Sequence, residues 1–311
     1  MGDADGPGMT DASAAPARPS VAVVGPGAIG TSVAAALHEA GVPVLLCGRT
    51  PRARLELRTT DGTSIVVPGP VQTDPASVAG PVDLVLLAVK ATQVEAAAPW
   101  LRALCHADTV VVVLQNGVEQ VEDVAPHVPG CPVVPAVVWF PAEALPDGSV
   151  LLRGAPRLTL PDVPASRVVV EALAGGRCAV ELAADFRTAA WRKLVQNAVA
   201  GIMAATGRRA GAFRRDDVAD LARAYGRECL EVARAEGAVL DDAVADRIVD
   251  DFAAAPADQG TSILADREAG RPLEWRARNG VILHRGRAHG LPMPISAVLV
   301  PLLAAASDGP G

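Results

Sequence analysis

A glycine-rich turn between two apolar runs constrains the fold of this chain more than any other feature. An apolar run at 21–24 leads into a G-x-G-x-x-G pattern at residues 25–30, then an alanine-rich helical stretch, then a second apolar run that ends in an arginine at position 49. In such a strand–turn–helix unit, the first glycine permits the tight turn, the second lets the backbone approach a pyrophosphate, and the third lets the helix pack on the strand. The helix N-terminus offers its N–H groups to the phosphates. The pattern predicts a dinucleotide site, with a glycine-rich surface loop of an unrelated α/β protein as the alternative; its candidate contacts are Gly25, Gly27, Ala28, Ile29 and Gly30.

The end of the second apolar run selects between the two common dinucleotides. An NAD site normally places an acid about 20 residues beyond the glycines, where it binds the ribose 2′-hydroxyl. This chain has no acid between Val42 and Leu55, and it has Arg49, Arg52 and Arg54. Because a guanidinium matches a 2′-phosphate in charge and geometry, we expect NADP(H), with Arg49 as the main contact and Arg52 as a second. The alternative is that Arg52 and Arg54 only solvate a loop, which we favour for Arg54.

Composition excludes several classes of function. The chain has 311 residues, of which 50% are hydrophobic and 20% charged, which is typical of a globular protein with two domains. The net charge of −7 argues against broad nucleic-acid binding, although local Lys and Arg can still give a cleft that accepts an anionic substrate. The five cysteines form no C-x-x-C pair, no secretion signal or metal-ligand spacing is present, and no apolar run reaches the length of a membrane span. We expect a cytoplasmic protein that uses no metal and no membrane.

Continuous apolar runs predict the strands of a parallel sheet. Val82–Val89 and Thr109–Leu114 are such runs, and Thr92–Cys105 between them is typical of a crossover helix. Val133–Phe140 and Ser149–Leu160 predict shorter strands around an Asp-Gly turn at 147–148, which we expect to finish the sheet.

The pattern becomes helical from about Asp185. Helices are predicted over Phe186–Thr206, Asp216–Gly237 and Asp241–Ala255, with further helices from Gln259, Leu273 and Pro294. The fold class is therefore α/β: a disordered tail over 1–18, a Rossmann-type dinucleotide-binding domain over 19–184 and a mostly helical domain over 185–311. Ligand sites favour the cleft between two such domains.

Polar residues follow two of the predicted strands. Lys90 comes after the run that ends at Val89, and Asn116 comes after the run that ends at Leu114. Open α/β sheets bind ligands just beyond the carboxyl ends of their strands, so both are candidate site residues. The alternatives are a solvated helix start for Lys90 and an ordinary turn for Asn116.

Two helical segments carry further candidates. Lys193 and Asn197 are four residues apart and share one face of a largely apolar helix. The lysine either snorkels to solvent or points into a cleft, where an ammonium beside a carbonyl is a general acid. Ser262 and Asp266 lie one turn apart, and Glu274 falls near the start of the next helix. A capped surface helix is the alternative for this last group.

The order of these motifs resembles the ketopantoate reductase (2-dehydropantoate 2-reductase) family. The matching elements are the glycine turn, the strand-ending arginine, V-K, Q-N-G, W-x-K-L-x-x-N, and S-x-x-x-D with G-R-P-x-E, and together they span Val21 to about Pro301. The resemblance implies reduction of a 2-oxo acid by NADPH, with 2-dehydropantoate, which gives pantoate in pantothenate biosynthesis, as the first candidate substrate. It also implies a helical domain that serves the substrate and a homodimer, since many members of the family are dimers.

The resemblance also implies roles for individual residues. Lys193 matches the catalytic lysine, which protonates the carbonyl oxygen as hydride arrives, while Asn116, Asn197 and Ser262 match positions that hold the substrate and orient that lysine. A second cation or backbone N–H groups should hold the substrate carboxylate.

The remaining matched positions concern the cofactor. Glu274 matches an acid near the nicotinamide ribose and the active-site lysine, so it is a catalytic and a cofactor-binding candidate. Lys90 and Arg49 match cofactor contacts, with Arg49 at the 2′-phosphate, and Asn116 is also a candidate cofactor contact.

The sequence departs from the family at a few positions. Gly201 stands where the family usually has an asparagine, Leu273 stands where it usually has a threonine, and Trp139 and Phe140 lie near the domain junction. We expect the missing amide to open space and to weaken selection for a hydroxylated substrate. The alternatives are therefore a paralogue that reduces a different, bulkier 2-oxo compound and a non-catalytic NADP-binding sensor. The sensor is opposed by the joint presence of Lys193, Asn197, Ser262 and Glu274, which cofactor binding alone would not need.

Overall fold

The structure is a computed structural model that describes residues 18–308. Apart from Arg18, the tail predicted over 1–18 lies outside these residues. The strands in chain order are β1 (Val21–Val24), β2 (Val44–Cys47), β3 (Arg54–Thr59), β4 (Ser64–Pro68), β5 (Leu84–Leu87), β6 (Val110–Val113), β7 (Val133–Pro135), β8 (Val137–Val138), β9 (Ala142–Ala144), β10 (Val150–Leu152), β11 (Arg157–Pro161) and β12 (Ala179–Ala183). The helices are α1 (Ala28–Glu39), α2 (Val94–Leu104), α3 (Gln120–Val124), α4 (Arg167–Leu173), α5 (Phe186–Thr206), α6 (Asp216–Ala235), α7 (Ala243–Ala254), α8 (Ser262–Glu268), α9 (Val281–Ala288) and α10 (Ser296–Ser307), and a short π-helical turn covers Arg276–Gly280.

The predicted parallel sheet is confirmed. Its strand order is β2-β1-β5-β6-β7, and every neighbouring pair is parallel. Alternate residues of β1 face two different cores: Val21 and Val23 pack with α1, while Ala22 and Val24 pack with α2. Since both faces are covered, the strands are continuously apolar rather than alternating. The turn after β1 therefore lies at the carboxyl edge of the sheet.

The prediction that the later strands finish this sheet is wrong beyond β7. β9 and β10 form an antiparallel hairpin whose β10 pairs with β3, in a second sheet of order β4-β3-β10-β9. β8 joins β11 and β12 in a third sheet. The hairpin of β3 and β4 was not predicted at all. Burial in β4 alternates along the strand, so one face of the second sheet packs on α1 and the other meets solvent, which a strand inside the doubly covered sheet does not do.

The C-terminal half is helical, as predicted. The long helix α5 has the predicted bounds, because Asp185 accepts a hydrogen bond from the Thr188 amide at 3.0 Å at its start and Gly207 ends it with a φ of 68°. α6 and α7 lie within the predicted segments, and they pack with α5 around a separate apolar core. The predicted division of the chain at 184/185 stays a prediction. Within residues 18–308, no helix combines the length and the apolar character that crossing a membrane requires.

Candidate active site

The glycine turn has the shape that the motif predicts. Gly25 has a φ of +90°, and a Cβ there would lie 2.6 Å from a methyl carbon of Val89. A Cβ on Gly30 would lie 2.3 Å from the Gly25 carbonyl oxygen, so the helix start packs against the turn. A Cβ on Gly27 would meet nothing within 4 Å. Gly27 therefore faces open space, directly before the N–H groups at the start of α1, among them those of Ala28 and Ile29.

The arginines after β2 differ in their surroundings. Arg49 is exposed, lies at the same edge of the sheet as the glycine turn, and forms no hydrogen bond within the described part of the chain. Arg52 donates a hydrogen bond to the Gly148 carbonyl at 3.0 Å and thereby ties the connection to the β9–β10 turn. Arg54 is the first residue of β3, so its expected place in a solvated loop is wrong. These positions leave Arg49 as the candidate for a 2′-phosphate.

A chain of hydrogen bonds brings three predicted site residues together. The Asn116 amide nitrogen donates to Glu274 Oε2 at 3.1 Å, and the Asn197 amide nitrogen donates to Asn116 Oδ1 at 3.0 Å. Asn116 follows β6, Asn197 lies on α5, and Glu274 precedes the π-helical turn, so the chain spans the two halves of the molecule. Asn197 and Glu274 are 6% and 7% exposed.

A buried arginine extends this cluster. Arg278 Nη2 donates to Asn197 Oδ1 at 3.3 Å and to Ser262 Oγ at 3.1 Å, so Ser262 also belongs to the cluster. Arg278 is 3% exposed, and burial lowers its pKa, while the nearby carboxylates of Glu274 and Asp266 act in the opposite direction. No motif in the sequence singles out Arg278.

Lys193 lies in the cleft rather than reaching for solvent. It lines one small cavity with Asn116, on the side formed by β8 and α5. Its Nζ lies 5.1 Å from the centre of the Trp139 ring, in the geometry of a cation–π contact. Burial, and next the charge of Arg278, lower the pKa of Lys193 to about 8. An ammonium with this pKa gives up its proton far more readily near neutral pH than an ordinary lysine does.

Lys90 links the two halves of the molecule. Its Nζ lies 2.6 Å from Asp266 Oδ2, and the other oxygen of Asp266 accepts from Arg271 Nε at 2.9 Å. The next backbone amide, that of Ala91, donates to Glu274 Oε1 at 3.4 Å. The segment after β5 is thus tied to α8 and to Glu274, just before the π-helical turn. The alternative that Lys90 is only a solvated helix start is therefore wrong.

The space expected at Gly201 is filled. A Cβ there would lie 2.7 Å from Nδ2 of Asn279, which is fully buried and donates to the Ala198 carbonyl and the Tyr225 hydroxyl, each at 3.0 Å. The expectation of opened space is therefore wrong, because an amide from the π-helical turn occupies it. Leu273 is 2% exposed and packs in an apolar cluster away from the polar residues.

Two contributors to the site were missed or only half seen from sequence. Trp139 was noted as a large aromatic near the junction, and in the structure its indole N–H donates to Thr159 at 2.8 Å while its ring faces Lys193. Arg278 had one signal, its position four residues after Glu274 in a predicted helix. That spacing alone did not indicate that the side chain is buried.

Comparison with known proteins identifies the family of the chain. The family model described as ketopantoate reductase PanE/ApbA matches residues 21–165, and the model of the C-terminal part of the same family matches residues 185–307. The 2-dehydropantoate 2-reductase of Mycobacterium tuberculosis is 62% identical over 94% of this chain and 99% of its own length. The protein of the same name from Caulobacter vibrioides is 39% identical over 93% of this chain and 99% of its own.

Solved structures show the same architecture. A dimeric ketopantoate reductase from Staphylococcus aureus has a TM-score of 0.84 at 28% identity, and the alignment covers 94% of this chain and all of that one (100%). A ketopantoate reductase family protein from Ralstonia eutropha also has a TM-score of 0.84, at 31% identity, over 93% of this chain and 98% of that one. Matching family models in both halves, together with relatives this similar over nearly their full length, place the chain in the ketopantoate reductase family, a family of oxidoreductases with a Rossmann-type α/β fold.

Proposed function

We propose that this protein reduces 2-dehydropantoate to pantoate with NADPH, as a step of pantothenate biosynthesis. The observation that carries the proposal is the position of Lys193, an ammonium of lowered pKa in the same cavity wall as Asn116. Asn116 in turn bonds to Asn197 and Glu274. The names of the two curated relatives given above, 2-dehydropantoate 2-reductase, support the choice of substrate.

The residues at the sheet edge fit a dinucleotide. The open approach to Gly27 and the N–H groups of Ala28 and Ile29 suit a pyrophosphate, and a Cβ at Gly25 or Gly30 would collide with its surroundings. Arg49 is an exposed guanidinium at the carboxyl end of β2, which favours a 2′-phosphate and hence NADP(H) over NAD(H). The bound cofactor supplies a hydride to the carbonyl carbon of the substrate.

The protein's own residues supply the rest of the chemistry. Negative charge develops on the carbonyl oxygen during reduction, and the Lys193 ammonium stabilises that charge and donates the proton. The face of the Trp139 ring contacts the Lys193 ammonium and keeps it at the cavity wall. No carboxylate among residues 18–308 lies within ion-pair distance of Lys193, so its positive charge is not neutralised. Asn116 and Asn197 place amide groups beside it. Glu274 accepts hydrogen bonds from Asn116 and the Ala91 amide, and it would bind the nicotinamide ribose of the cofactor.

The structure favours neither a bulkier 2-oxo substrate nor a non-catalytic sensor. The expected room for a bulkier substrate at Gly201 is taken by Asn279, and Leu273 points into an apolar cluster. A sensor needs only the cofactor site, so it gives no reason for a cleft lysine of lowered pKa that has no carboxylate partner within residues 18–308.

The proposal extends to assembly and compartment. The S. aureus relative is dimeric, and we propose a homodimer here too. The five cysteines are free thiols, with those at 47, 178 and 229 buried, which fits a reducing compartment such as the cytoplasm.

Steady-state kinetics with 2-dehydropantoate beside a panel of other 2-oxo acids test the proposal. Wild type should reach a kcat/KM of about 10⁴ M⁻¹s⁻¹ or above with 2-dehydropantoate. Lys193→Met should lower kcat by about 10² to 10⁴ while the Kd for NADPH, measured by fluorescence, stays the same. Arg192→Gln is the matched control, because Arg192 is the exposed neighbour on the same helix. Tight NADPH binding with negligible turnover of 2-dehydropantoate would contradict the substrate, and an unchanged kcat in Lys193→Met would contradict the mechanism.

A further inference from the structure

A buried guanidinium in the polar cluster is only partly bonded. Arg278 Nη2 bonds to Asn197 and Ser262, whereas Nε and Nη1 are buried and have no hydrogen-bond partner within residues 18–308. No carboxylate of the described residues lies within ion-pair distance of Arg278, although Glu274 and Asp266 are close enough to affect its pKa. A buried charge is costly unless it is paired, and each unmet donor adds to that cost. The arrangement therefore calls for an anion.

We propose that Arg278 binds the carboxylate of the 2-oxo acid substrate. This inference rests on the proposed function, and it names the residue that recognises the acid group. A guanidinium binds a carboxylate through two parallel hydrogen bonds, either end-on through Nη1 and Nη2 or side-on through Nε and Nη2. Both arrangements use Nη2, whose two N–H groups already donate to Asn197 and Ser262, so a bidentate carboxylate takes the place of one of these two acceptors. The second bond comes from Nη1 or Nε, which have no partner within residues 18–308. A carboxylate bound in either way lies beside the cluster that contains Asn116.

The position of Arg278 also suits the length of the substrate. In a 2-oxo acid, the carboxylate and the carbonyl to be reduced are bonded directly, so their binding groups must be neighbours. Arg278 is near enough to Lys193 to lower its pKa, and it donates to Asn197. Asn197 bonds to Asn116, which lines the cavity together with Lys193. One small molecule can therefore place its carboxylate at Arg278 and its carbonyl oxygen at Lys193.

Binding of the carboxylate at Arg278 has a consequence for the proton donor. The positive charge of Arg278 is one cause of the lowered pKa of Lys193. A carboxylate on Arg278 offsets that charge, so the pKa of Lys193 rises when an acid substrate binds and the lysine holds its proton until reduction. A neutral analogue leaves Arg278 uncompensated and gives no such rise.

The competing role for Arg278 is structural, as a support for Asn197 and Ser262. The two roles predict different effects of losing Arg278 on an acid substrate and on its neutral amide. Loss of a mere support harms every substrate alike, whereas loss of a carboxylate site removes the preference for an acid over its neutral primary amide. The variants are Arg278→Gln, Arg278→Lys and, as a control, Arg276→Gln, because Arg276 is exposed on the same π-helical turn.

The first measurement is kcat/KM for the acid and for its amide, using the 2-oxo acid of the panel that wild type reduces best. Arg278→Gln should lower the value for the acid roughly 30- to 1,000-fold, mainly through KM, and the value for the amide by less than about 5-fold. Arg278→Lys should keep part of the preference for the acid, and Arg276→Gln should match wild type. Equal losses for acid and amide, or no loss in Arg278→Gln, would overturn the proposal.

The second measurement does not depend on turnover. Oxamate carries a carboxylate next to a neutral carbonyl, and its binding to the enzyme–NADPH complex is measured by calorimetry. Wild type should bind oxamate, and Arg278→Gln should bind it at least about 10-fold more weakly with an unchanged Kd for NADPH. If wild type reduces another 2-oxo acid but not 2-dehydropantoate, the proposed substrate fails while the role of Arg278 is decided by these data. If oxamate binds equally to wild type and variant, or to neither, the role of Arg278 is refuted.

Discussion

Replacing Gly201 by alanine tests whether the buried Asn279 amide holds its position. The new Cβ would lie 2.7 Å from Asn279 Nδ2, which must move about 0.7 Å to reach an ordinary contact of 3.4 Å. That movement breaks two hydrogen bonds of 3.0 Å, to the Ala198 carbonyl and the Tyr225 hydroxyl. Leaving the donor unmet costs about 1–3 kcal/mol and overpacking a further 1–3, while alanine contributes about 1 kcal/mol of helix propensity. We expect the free energy of unfolding to fall by about 1–5 kcal/mol.

Urea unfolding of a double-mutant cycle measures this effect. The Gly201→Ala variant is compared with wild type. In parallel, the Gly201→Ala/Asn279→Ala double variant is compared with the Asn279→Ala single variant. In that background the collision is gone, so the same substitution should stabilise the protein by about 1 kcal/mol through helix propensity alone. A change of sign between the two backgrounds supports the packing argument. If Gly201→Ala stabilises wild type by as much as it stabilises the Asn279→Ala variant, Asn279 moves aside freely and the reasoning is refuted.

Further predictions concern the active site. The kcat/KM of wild type should be level at neutral pH and fall as the pH rises through about 8, because the Lys193 proton donor is lost above its pKa; a profile that stays level up to the ordinary lysine value of 10.5 would contradict this assignment. Arg49→Gln should weaken NADPH binding about 10- to 100-fold and leave NADH binding unchanged, and it should reduce the salt dependence of NADPH binding, all measured by fluorescence titration. Arg54→Gln serves as its control, since Arg54 lies on the exposed end of β3. Equal losses for both cofactors would argue against a 2′-phosphate contact.

Local patterns were sufficient to predict the parallel sheet and the long helices. The strands of a doubly covered sheet are continuously apolar, and α5 carries its own start and end signals in Asp185 and Gly207. The hairpin of β3 and β4 also carries a signal, because Leu55 and Leu57 alternate with polar residues. That alternation predicts one buried face, yet it does not identify the layer that covers it. β3 pairs with β10, which is distant in sequence, and α1 provides the covering surface.

In the candidate site, too, the residues that local motifs indicate were predicted, and those that depend on tertiary packing were not. Motif spacing singled out Asn116 after a strand, Asn197 on a long helix and Glu274 near a helix start, and the structure joins all three by hydrogen bonds. It did not predict Arg278, because an arginine on a helix is normally exposed and only tertiary packing buries this one. Nor did it predict that Asn279 fills the space beside Gly201. A residue that is absent at one position can be replaced by a neighbour in space, and the sequence of one element does not show this.

The charges around the cavity explain how an acidic protein can select an anion. The whole chain has a net charge of −7, which by itself would repel a carboxylate. Lys193 nevertheless lines the cavity, and Arg278 is near enough to lower the pKa of Lys193. The carboxylates near Arg278 have other partners: Asp266 bonds to Lys90 and Arg271, and Glu274 to amide groups. These two carboxylates act against the lowering of the Arg278 pKa without forming an ion pair with Arg278. The cavity keeps unsatisfied positive charge for a substrate that carries a carboxylate and develops an oxyanion. Since buried charges are screened little by salt, this local field outweighs the distant surface charge that sets the net value.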